Sequence, residues 1–211
     1  MIGDFLSSQE KIEELGKLSK KIKDCTNCSL CETRKNTVSG AGSPLAKILI
    51  IGEAPGEEED EMGLPFVGDS GKYLHKALGL VGIKEEDIYI VNVLKCRPKA
   101  NRDPKGDEIK ECFPFLQKQV DILAPELVLT LGTYASQLIL DTEYGISELR
   151  TENPYFDVPF EYGIEKFTNL SVIATFHPSF VLRKPEYSKI WLHDLKKAAQ
   201  TLRISDFVRE Q

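Results

Sequence analysis

Four short runs of aliphatic and β-branched residues recur along the chain, and each is followed by a segment whose apolar residues have helical spacing. Apolar runs of this length are typical of strands buried on both faces of a parallel sheet. Strands that alternate with helices form right-handed βαβ units, so helices must cover both faces. The pattern predicts a three-layer α/β/α fold with a central four-stranded parallel sheet. The predicted strands are 47–52, 87–93, 126–132 and 171–176.

Start and stop residues mark the helical segments. Ser7 and Glu10 form a capping-box pattern that predicts a helix over 8–24. Asp69 or Ser70 as the N-cap, with Gly82 as the stop, predicts a second helix over 69–81. Further helices are predicted at 107–123, where Pro114 indicates a kink or a late start, and at 133–140 and 186–201. The stretch 141–170 has no clear period, and we expect a hairpin or a surface excursion there.

The length of 211 residues fits a single domain over 1–211, with an N-terminal helix in 1–24 and a C-terminal tail over 198–211. No apolar stretch reaches the roughly 18 residues that a membrane span needs. The first residues lack the pattern of a secretory signal. We therefore expect a cytoplasmic monomer without a membrane partner.

Charge is distributed unevenly along the chain. The formal net charge of −6 argues against a protein that coats nucleic acid through bulk charge. Segment 95–105 nevertheless carries five basic residues against one acidic residue, and Arg183 and Lys184 form a second basic spot. Such segments suit contacts with a phosphate backbone, or are simply solvated loops. The acidic run Glu57–Glu61 disfavours a phosphate-cradling loop, and we expect it to be a solvated loop.

Five cysteines are too few for a disulfide scaffold, and clustered cysteines in a reducing compartment favour metal binding. Cys25, Cys28 and Cys31 form CxxCxxC, while Cys96 and Cys112 lie far downstream. A CxxC lets two thiolates reach one metal atom or cluster, and two further sulfurs complete four ligands. Spacing leaves open a zinc ion, an iron–sulfur cluster, and Cys31 as the fourth ligand. Alternatively, Cys96 and Cys112 are small buried apolar residues.

Candidate site residues follow the carboxyl ends of the predicted strands, where open α/β sheets bind ligands. The segment GEAPG (52–56) follows the first strand, Asn92 ends the second, and His177 comes just after the fourth. Phe66, in a Gly-rich loop, offers either a core side chain or a stacking face. A buried Asn92 must satisfy its amide structurally or by reading the edge of a flat heterocycle.

Several motifs follow one another along the chain: CTNCSLCETR (25–34), GEAPGEEED (52–60), GLPFVG (63–68), VNVLKCRP (91–98), NRDP (101–104), the second spaced cysteine (Cys112), TFHPSFVLR (175–183) and WLHDL (191–195). Together these motifs resemble the family 4 uracil-DNA glycosylases, the iron–sulfur branch of their superfamily. The resemblance implies a uracil-DNA glycosylase-like fold and a monofunctional DNA repair hydrolase. Such an enzyme flips uracil out of DNA, hydrolyses its N-glycosidic bond, and leaves an abasic site for base excision repair. The alternative is an iron–sulfur redox or electron-transfer protein.

The same resemblance assigns roles to individual residues. It implies a [4Fe–4S] cluster held by Cys25, Cys28, Cys96 and Cys112, with Cys31 outside the usual set of ligands. Phe66 would stack on the base, Asn92 would read its edge, and His177 would face the departing uracil. The implied uracil pocket is lined by Glu53, Ala54, Pro55, Phe66, Asn92 and His177.

Two further roles follow from the resemblance. The sugar and its attacking water need a carboxylate or a backbone oxygen. Because position 54 is Ala rather than Asp, the candidate carboxylates are Glu53 and Glu59. The partner would be uracil-containing DNA, single- or double-stranded, with Val181 and Leu182 entering the gap left by the flipped base. The expected DNA contacts are Arg97, Lys99, Arg102, Leu182 and Arg183.

Overall fold

The computed structural model describes residues 6–152 and 170–209, with side chains described over 6–150 and 170–202. Its sheet consists of β1 (Ala41–Gly42), β2 (Ile48–Gly52), β3 (Ile88–Asn92), β4 (Leu127–Leu131) and β5 (Ser171–Thr175), in the order β1-β3-β2-β4-β5. The parallel pairing of β2 to β5 confirms the predicted four-stranded parallel sheet. The antiparallel edge strand β1 was not predicted, because two residues are too short to show strand alternation.

Eight α-helices accompany the sheet within the described residues. The predicted helices over 8–24, 107–123 and 133–140 are confirmed to within one or two residues at each end. Pro114 lies inside a helix that continues through it. The helices are α1 (Ser8–Lys23), α2 (Glu57–Met62), α3 (Asp69–Leu80), α4 (Gly106–Leu123), α5 (Thr133–Leu140), α6 (Ile146–Glu152), α7 (Pro178–Arg183) and α8 (Ser188–Arg209).

Helices cover both faces of the sheet, which confirms the predicted three layers. Successive side chains of a strand point to opposite faces. Leu49 and Ile51 of β2 therefore pack with residues of α4 and α5, whereas Ile48 and Ile50 pack with residues of α3 and α8. Every residue of β2, β3 and β4 is buried as a result. Continuous apolar runs are the sequence signature of this double coverage.

The N-terminal helix α1 begins with the predicted capping box. The Ser7 hydroxyl accepts from the Glu10 N–H, and the Glu10 carboxylate accepts from the Ser7 N–H. Leu18 and Ile22 of this helix pack against Ile122 of α4. Because α1 packs against α4, the segment that begins with Cys25 lies beside α4.

Some elements differ from the expectation. The acidic run Glu57–Glu61 forms most of α2 instead of a solvated loop, because the buried Asp60 carboxylate accepts from the N–H groups of Lys35 and Asn36. The N-cap of α3 is Gly68 and not Asp69 or Ser70. Of the stretch 141–170, residues 146–152 form α6, and 153–169 lie outside the described residues.

The C-terminal third differs from the expectation at its end. Residues after His177 form α7, with His177 as its N-cap. The last helix, α8, continues to Arg209, so the segment from 198 that was expected to be a tail is helical over most of its length. Among residues 6–152 and 170–209, no helix is long and apolar enough to cross a membrane.

Gly71 in α3 provides a test of the packing between this helix and the preceding loop. A Cβ atom there would lie 1.8 Å from the Phe66 carbonyl oxygen, and backbone atoms cannot easily move away. Overpacking of this kind costs about 1–3 kcal/mol, so Gly71→Ala should lower the free energy of unfolding by that amount.

Gly79 in the same helix is the matched control, because a Cβ atom there meets nothing within 4 Å. Gly79→Ala should stabilise the protein by roughly 0.5–1 kcal/mol through helix propensity alone. Urea denaturation of both variants measures the difference. Equal effects of the two substitutions would show that the Phe66 loop does not pack on α3 as described.

Candidate active site and cysteine centre

A cleft of about 490 Å³ opens at the carboxyl ends of the parallel strands. The chain runs from β2 to β3 on one side and then to β4 on the other side of β2, so the loops after the strands diverge at this point. Ligands bind at such switch points in open α/β sheets. Glu53 follows β2, Asn92 ends β3, Gly132 follows β4 and His177 follows β5, and all four line the cleft.

The structure brings most of the sequence-predicted residues to this cleft. Glu59, Arg102 and Arg183 also line it, whereas Arg97, Lys99 and Leu182 do not. Sequence reasoning missed Asp103 and Tyr134, which line the cleft too. The position of Tyr134, just after the carboxyl end of β4, could have indicated its place in the cleft. The residues predicted for the base pocket that line the cleft are Glu53, Ala54, Pro55, Phe66, Asn92 and His177.

Asn92 carries an unsatisfied buried acceptor. The residue is 2 % exposed, and its Oδ1 atom has no hydrogen-bond partner. A buried polar group left unpaired costs about 1–3 kcal/mol. Orphaned groups of this kind are rare in folded proteins and call for an explanation. A ligand N–H that enters the cleft would supply the missing donor.

Gly52 makes room for this side chain. It lies opposite Asn92 in the parallel register of β2 and β3. A Cβ atom on Gly52 would come within 2.4 Å of Asn92 Oδ1 and 2.7 Å of Phe66 Cζ. Only glycine therefore lets both side chains approach the backbone of β2 at the base of the cleft.

Phe66 places an aromatic ring beside Asn92 and His177. Its φ of 52° is in the left-handed region, which a bulky residue rarely adopts. Strained backbone of this kind concentrates at functional sites. The ring centroid lies 5.7 Å from that of His177, with the planes tilted by 35°. A flat ligand in the cleft would therefore meet one aromatic ring beside the Asn92 amide.

His177 is poised as a neutral hydrogen-bond donor. Its Nδ1 atom accepts from the backbone N–H of Ser179 at 3.2 Å and also contacts the Ser179 hydroxyl at 2.8 Å. Because an amide N–H can only donate, Nδ1 is unprotonated and the neutral ring carries its proton on Nε2. Burial, with a smaller contribution from the charge of Arg183, lowers the pKa of His177 to about 4. The imidazole is therefore uncharged at neutral pH.

A buried ion pair fixes the strand that leads to His177. Asp194 accepts from Thr175 Oγ1 at 2.5 Å and from Arg150 at 2.8 Å. The Arg150 guanidinium also lies 4.9 Å from the centre of the Phe176 ring. Asp194 belongs to the WLHDL motif, so this motif anchors the end of β5 directly before His177.

The two candidate carboxylates differ in their surroundings. Burial, and to a lesser degree the charge of Asp103, raises the pKa of Glu53 to about 7. Glu59 accepts from three backbone N–H groups, of Gly56, Val67 and Gly68, at 2.9–3.0 Å. Glu59 therefore ties the loop after β2 to the loop before α3, while Glu53 faces the cleft without such a role.

The expected DNA-contacting side chains fall into two groups. Arg102 donates two hydrogen bonds to the buried Glu108 carboxylate, at 2.5 and 2.9 Å, and Arg97 lies 3.4 Å from Glu57. These guanidinium groups are held by internal ion pairs. Lys99, Leu182 and Arg183 are exposed, and the last two lie on α7 directly after His177.

All five cysteines line one small cavity on the α4 side of the sheet. They come from the segment after α1, from the loop after β3 and from α4 itself. Within the described ranges, no three His, Cys, Asp or Glu side chains gather as the ligands of a single metal ion. The five cysteines are free thiols gathered at one cavity, so their sulfur atoms suit either a zinc ion or an iron–sulfur cluster as ligands.

Two cationic side chains border the cysteine cavity. Arg34 donates to Cys96 Sγ at 3.3 Å, and Lys95 also lines the cavity. Burial raises the pKa of the Cys112 thiol to about 11, against the effects of the Lys95 backbone N–H and charge. Burial lowers the pKa of Lys95 to about 7, against the effects of Cys112 and Cys96.

Comparison with known proteins agrees with the geometry. Residues 39–202 match the family described as the uracil DNA glycosylase superfamily. The type-4 uracil-DNA glycosylase of Archaeoglobus fulgidus is 37% identical over 90% of this chain and 94% of its own. That of Thermotoga maritima is 39% identical over 90% and 95%, and that of Sulfurisphaera tokodaii is 37% identical over 88% and 84%.

Proposed function

The chain belongs to the uracil-DNA glycosylase superfamily and, within it, to the type-4 group, and on that premise we propose that it removes uracil from DNA. The enzyme hydrolyses the N-glycosidic bond, releases free uracil, and leaves an abasic site for DNA repair. The unpaired, buried Oδ1 of Asn92 at the base of the cleft carries this proposal, because it awaits a donor such as uracil N3–H. The electron-transfer alternative has no support in the family match or in these relatives.

Asn92 gives the site its preference for uracil. Its Oδ1 accepts from uracil N3–H, and its amide group donates to O4. Cytosine has an acceptor at N3 and an amino group at position 4, so both contacts fail and buried groups stay unpaired. A site built on such hydrogen bonds can discriminate by about 10⁴ or more.

Phe66 and α7 help to extract the base from the helix. Flipping a nucleotide out of a duplex costs a few kcal/mol. Stacking of the base on an aromatic ring such as Phe66 contributes about 1–3 kcal/mol of binding free energy, which offsets part of this cost. Val181 is buried in the core, so Leu182, which is 42 % exposed at the end of α7, is the residue that we expect to fill the gap that the base leaves. The exposed Lys99 and Arg183 contact the phosphate backbone, whereas Arg97 and Arg102 mainly shape the loop that borders it.

His177 and Glu53 divide the chemistry of bond cleavage between them. The electron pair of the N-glycosidic bond leaves with uracil, and the neutral His177 Nε2–H donates to uracil O2 as negative charge develops there. A preorganised donor of this kind is worth roughly 3–4 kcal/mol. The ionised Glu53 stabilises the cationic sugar and takes the proton of the water that bonds to C1′. Glu59 is a positioning residue, because three N–H groups already occupy its carboxylate.

We assign a [4Fe–4S] cluster to the cysteine cavity, with Cys25, Cys28, Cys96 and Cys112 as its ligands and Cys31 outside the set. When bound, the cluster supplies cross-links that fasten the segment after α1 and the loop after β3 to α4. The substrate is DNA that contains uracil, single- or double-stranded. The protein acts as a monomer, and its single domain contains both the uracil cleft and the cysteine cavity.

The function is tested with the purified protein and three oligonucleotides that differ only in carrying uracil, cytosine or thymine. We expect free uracil and an alkali-labile site from the first and neither from the others. His177→Ala should slow single-turnover excision by about two orders of magnitude, since one oxyanion-type donor contributes that much. DNA binding of this variant should stay near normal. No uracil release by the wild type would refute the proposed function.

The raised pKa of Glu53 predicts the pH dependence of excision. Glu53 is protonated below pH 7 and ionised above it, so the single-turnover rate should rise as pH increases through about 7. His177 does not titrate in this range because its pKa is about 4.

Asp103→Asn sharpens this test. Removing that negative charge makes ionisation of Glu53 easier, so the rising limb should move to lower pH. Glu53→Gln should abolish the limb and slow the reaction. A wild-type rate that is flat between pH 6 and 8 would remove Glu53 from this role.

A further inference from the structure

Lys95 has a buried side-chain amino group with neutral hydrogen-bond partners. The residue is 1 % exposed, and its Nζ donates to the Asn92 carbonyl at 2.6 Å and to Gln119 Oε1 at 2.7 Å. Burying a charge is costly unless an opposite charge compensates it. Neither a carbonyl nor an amide oxygen provides that charge, so the protonated form of Lys95 needs a negative charge from another group.

The cysteine centre lies beside Lys95. Lys95 lines the cysteine cavity together with Cys112, and it directly precedes Cys96 in the chain. Four thiolates on a [4Fe–4S] core in its usual oxidised form leave about two negative charges at the centre. Lys95 and Arg34, which donates to Cys96 Sγ, bring two positive charges to the same cavity.

Lys95 also reaches the base pocket. The carbonyl that its Nζ holds belongs to Asn92, whose side chain lines the cleft. Its second partner, Gln119 of α4, donates in turn to the Ser39 carbonyl. The Lys95 carbonyl itself accepts from the Val38 N–H at 2.8 Å. Lys95 therefore stands between the end of β3, helix α4 and the cysteines.

We propose that Lys95 couples the two sites, as the internal counter-charge of the cysteine-bound cluster and as the positioning residue that holds Asn92 for base reading. The proposal rests on the proposed function and its cofactor. According to this proposal, the bound cluster affects the position of Asn92 in the uracil pocket through the Lys95 side chain. Lys95 itself does not touch uracil.

The test compares Lys95→Met with Arg34→Met. Both substitutions remove a positive charge from the cysteine centre, but only Lys95 contacts Asn92. Loss of a partner in the shell around metal ligands typically weakens binding about 10–100-fold, so an iron chelator should bleach the brown absorbance of both variants at least about tenfold faster than that of the wild type. Circular dichroism checks that each variant is folded.

Uracil excision then separates the two variants. Single-turnover excision, normalised to iron content, should fall at least about tenfold further in Lys95→Met than in Arg34→Met, because only the former releases the Asn92 carbonyl. In Lys95→Met, the excision rate constant at saturating DNA should fall by a larger factor than the affinity for DNA. The ratio of excision rates on uracil and cytosine should also fall in this variant.

Gln119→Glu keeps the test decisive if Lys95→Met does not fold. The new carboxylate pairs with Lys95 inside the chain while the bond to Asn92 remains. We expect faster bleaching by the chelator with near wild-type excision per iron-loaded protein. Bleaching at the wild-type rate in this variant overturns the counter-charge role.

Other outcomes separate the inference from the proposed function. If the wild type is brown but releases no uracil, the proposed function fails. If the wild type releases uracil and the chelator bleaches Lys95→Met at the wild-type rate, the counter-charge role fails. Excision that falls equally in Lys95→Met and Arg34→Met overturns the positioning of Asn92.

Discussion

The parallel register between β2 and β3 is the constraint on which the site depends. It sets Gly52 opposite Asn92, so that the Asn92 amide and the Phe66 ring pack where a side chain would otherwise stand. A slip of one residue would turn Asn92 to the other face of the sheet. The hydrogen bonds of Val93 to Gly52 and of Leu94 to Glu53 extend the same register beyond β3, and thereby fix Glu53 as well.

Burial at the cleft then sets protonation states that suit the proposed chemistry. It lowers the pKa of His177, which leaves a neutral donor, and raises the pKa of Glu53 to near neutrality. Glu59, only six residues further along, is instead committed to backbone N–H groups. The two neighbouring carboxylates thus differ in their surroundings, which fits the different roles proposed for them.

The sequence predicted the parallel sheet well, because apolar runs such as 47–52 record burial on both faces. It predicted α2 wrongly, since an acidic run gives no sign that backbone N–H groups will bind Asp60. The ion pairs of Arg97 and Arg102 were not predicted from the sequence either. Glu57 is distant in sequence from Arg97, and Glu108 meets Arg102 only once the first turn of α4 has formed. The Asn92 position was predicted, but the orphaned oxygen and the link to Lys95 required coordinates.

The most direct test of the central claim uses two oligonucleotides, one with uracil and one with N3-methyluracil at the same position. The methyl group removes the N–H that Asn92 Oδ1 would accept, and leaves a buried oxygen unpaired. Single-turnover release of the free base should be at least about 10²-fold slower from the methylated substrate. Equal rates on both substrates, or no release of uracil, would contradict the account.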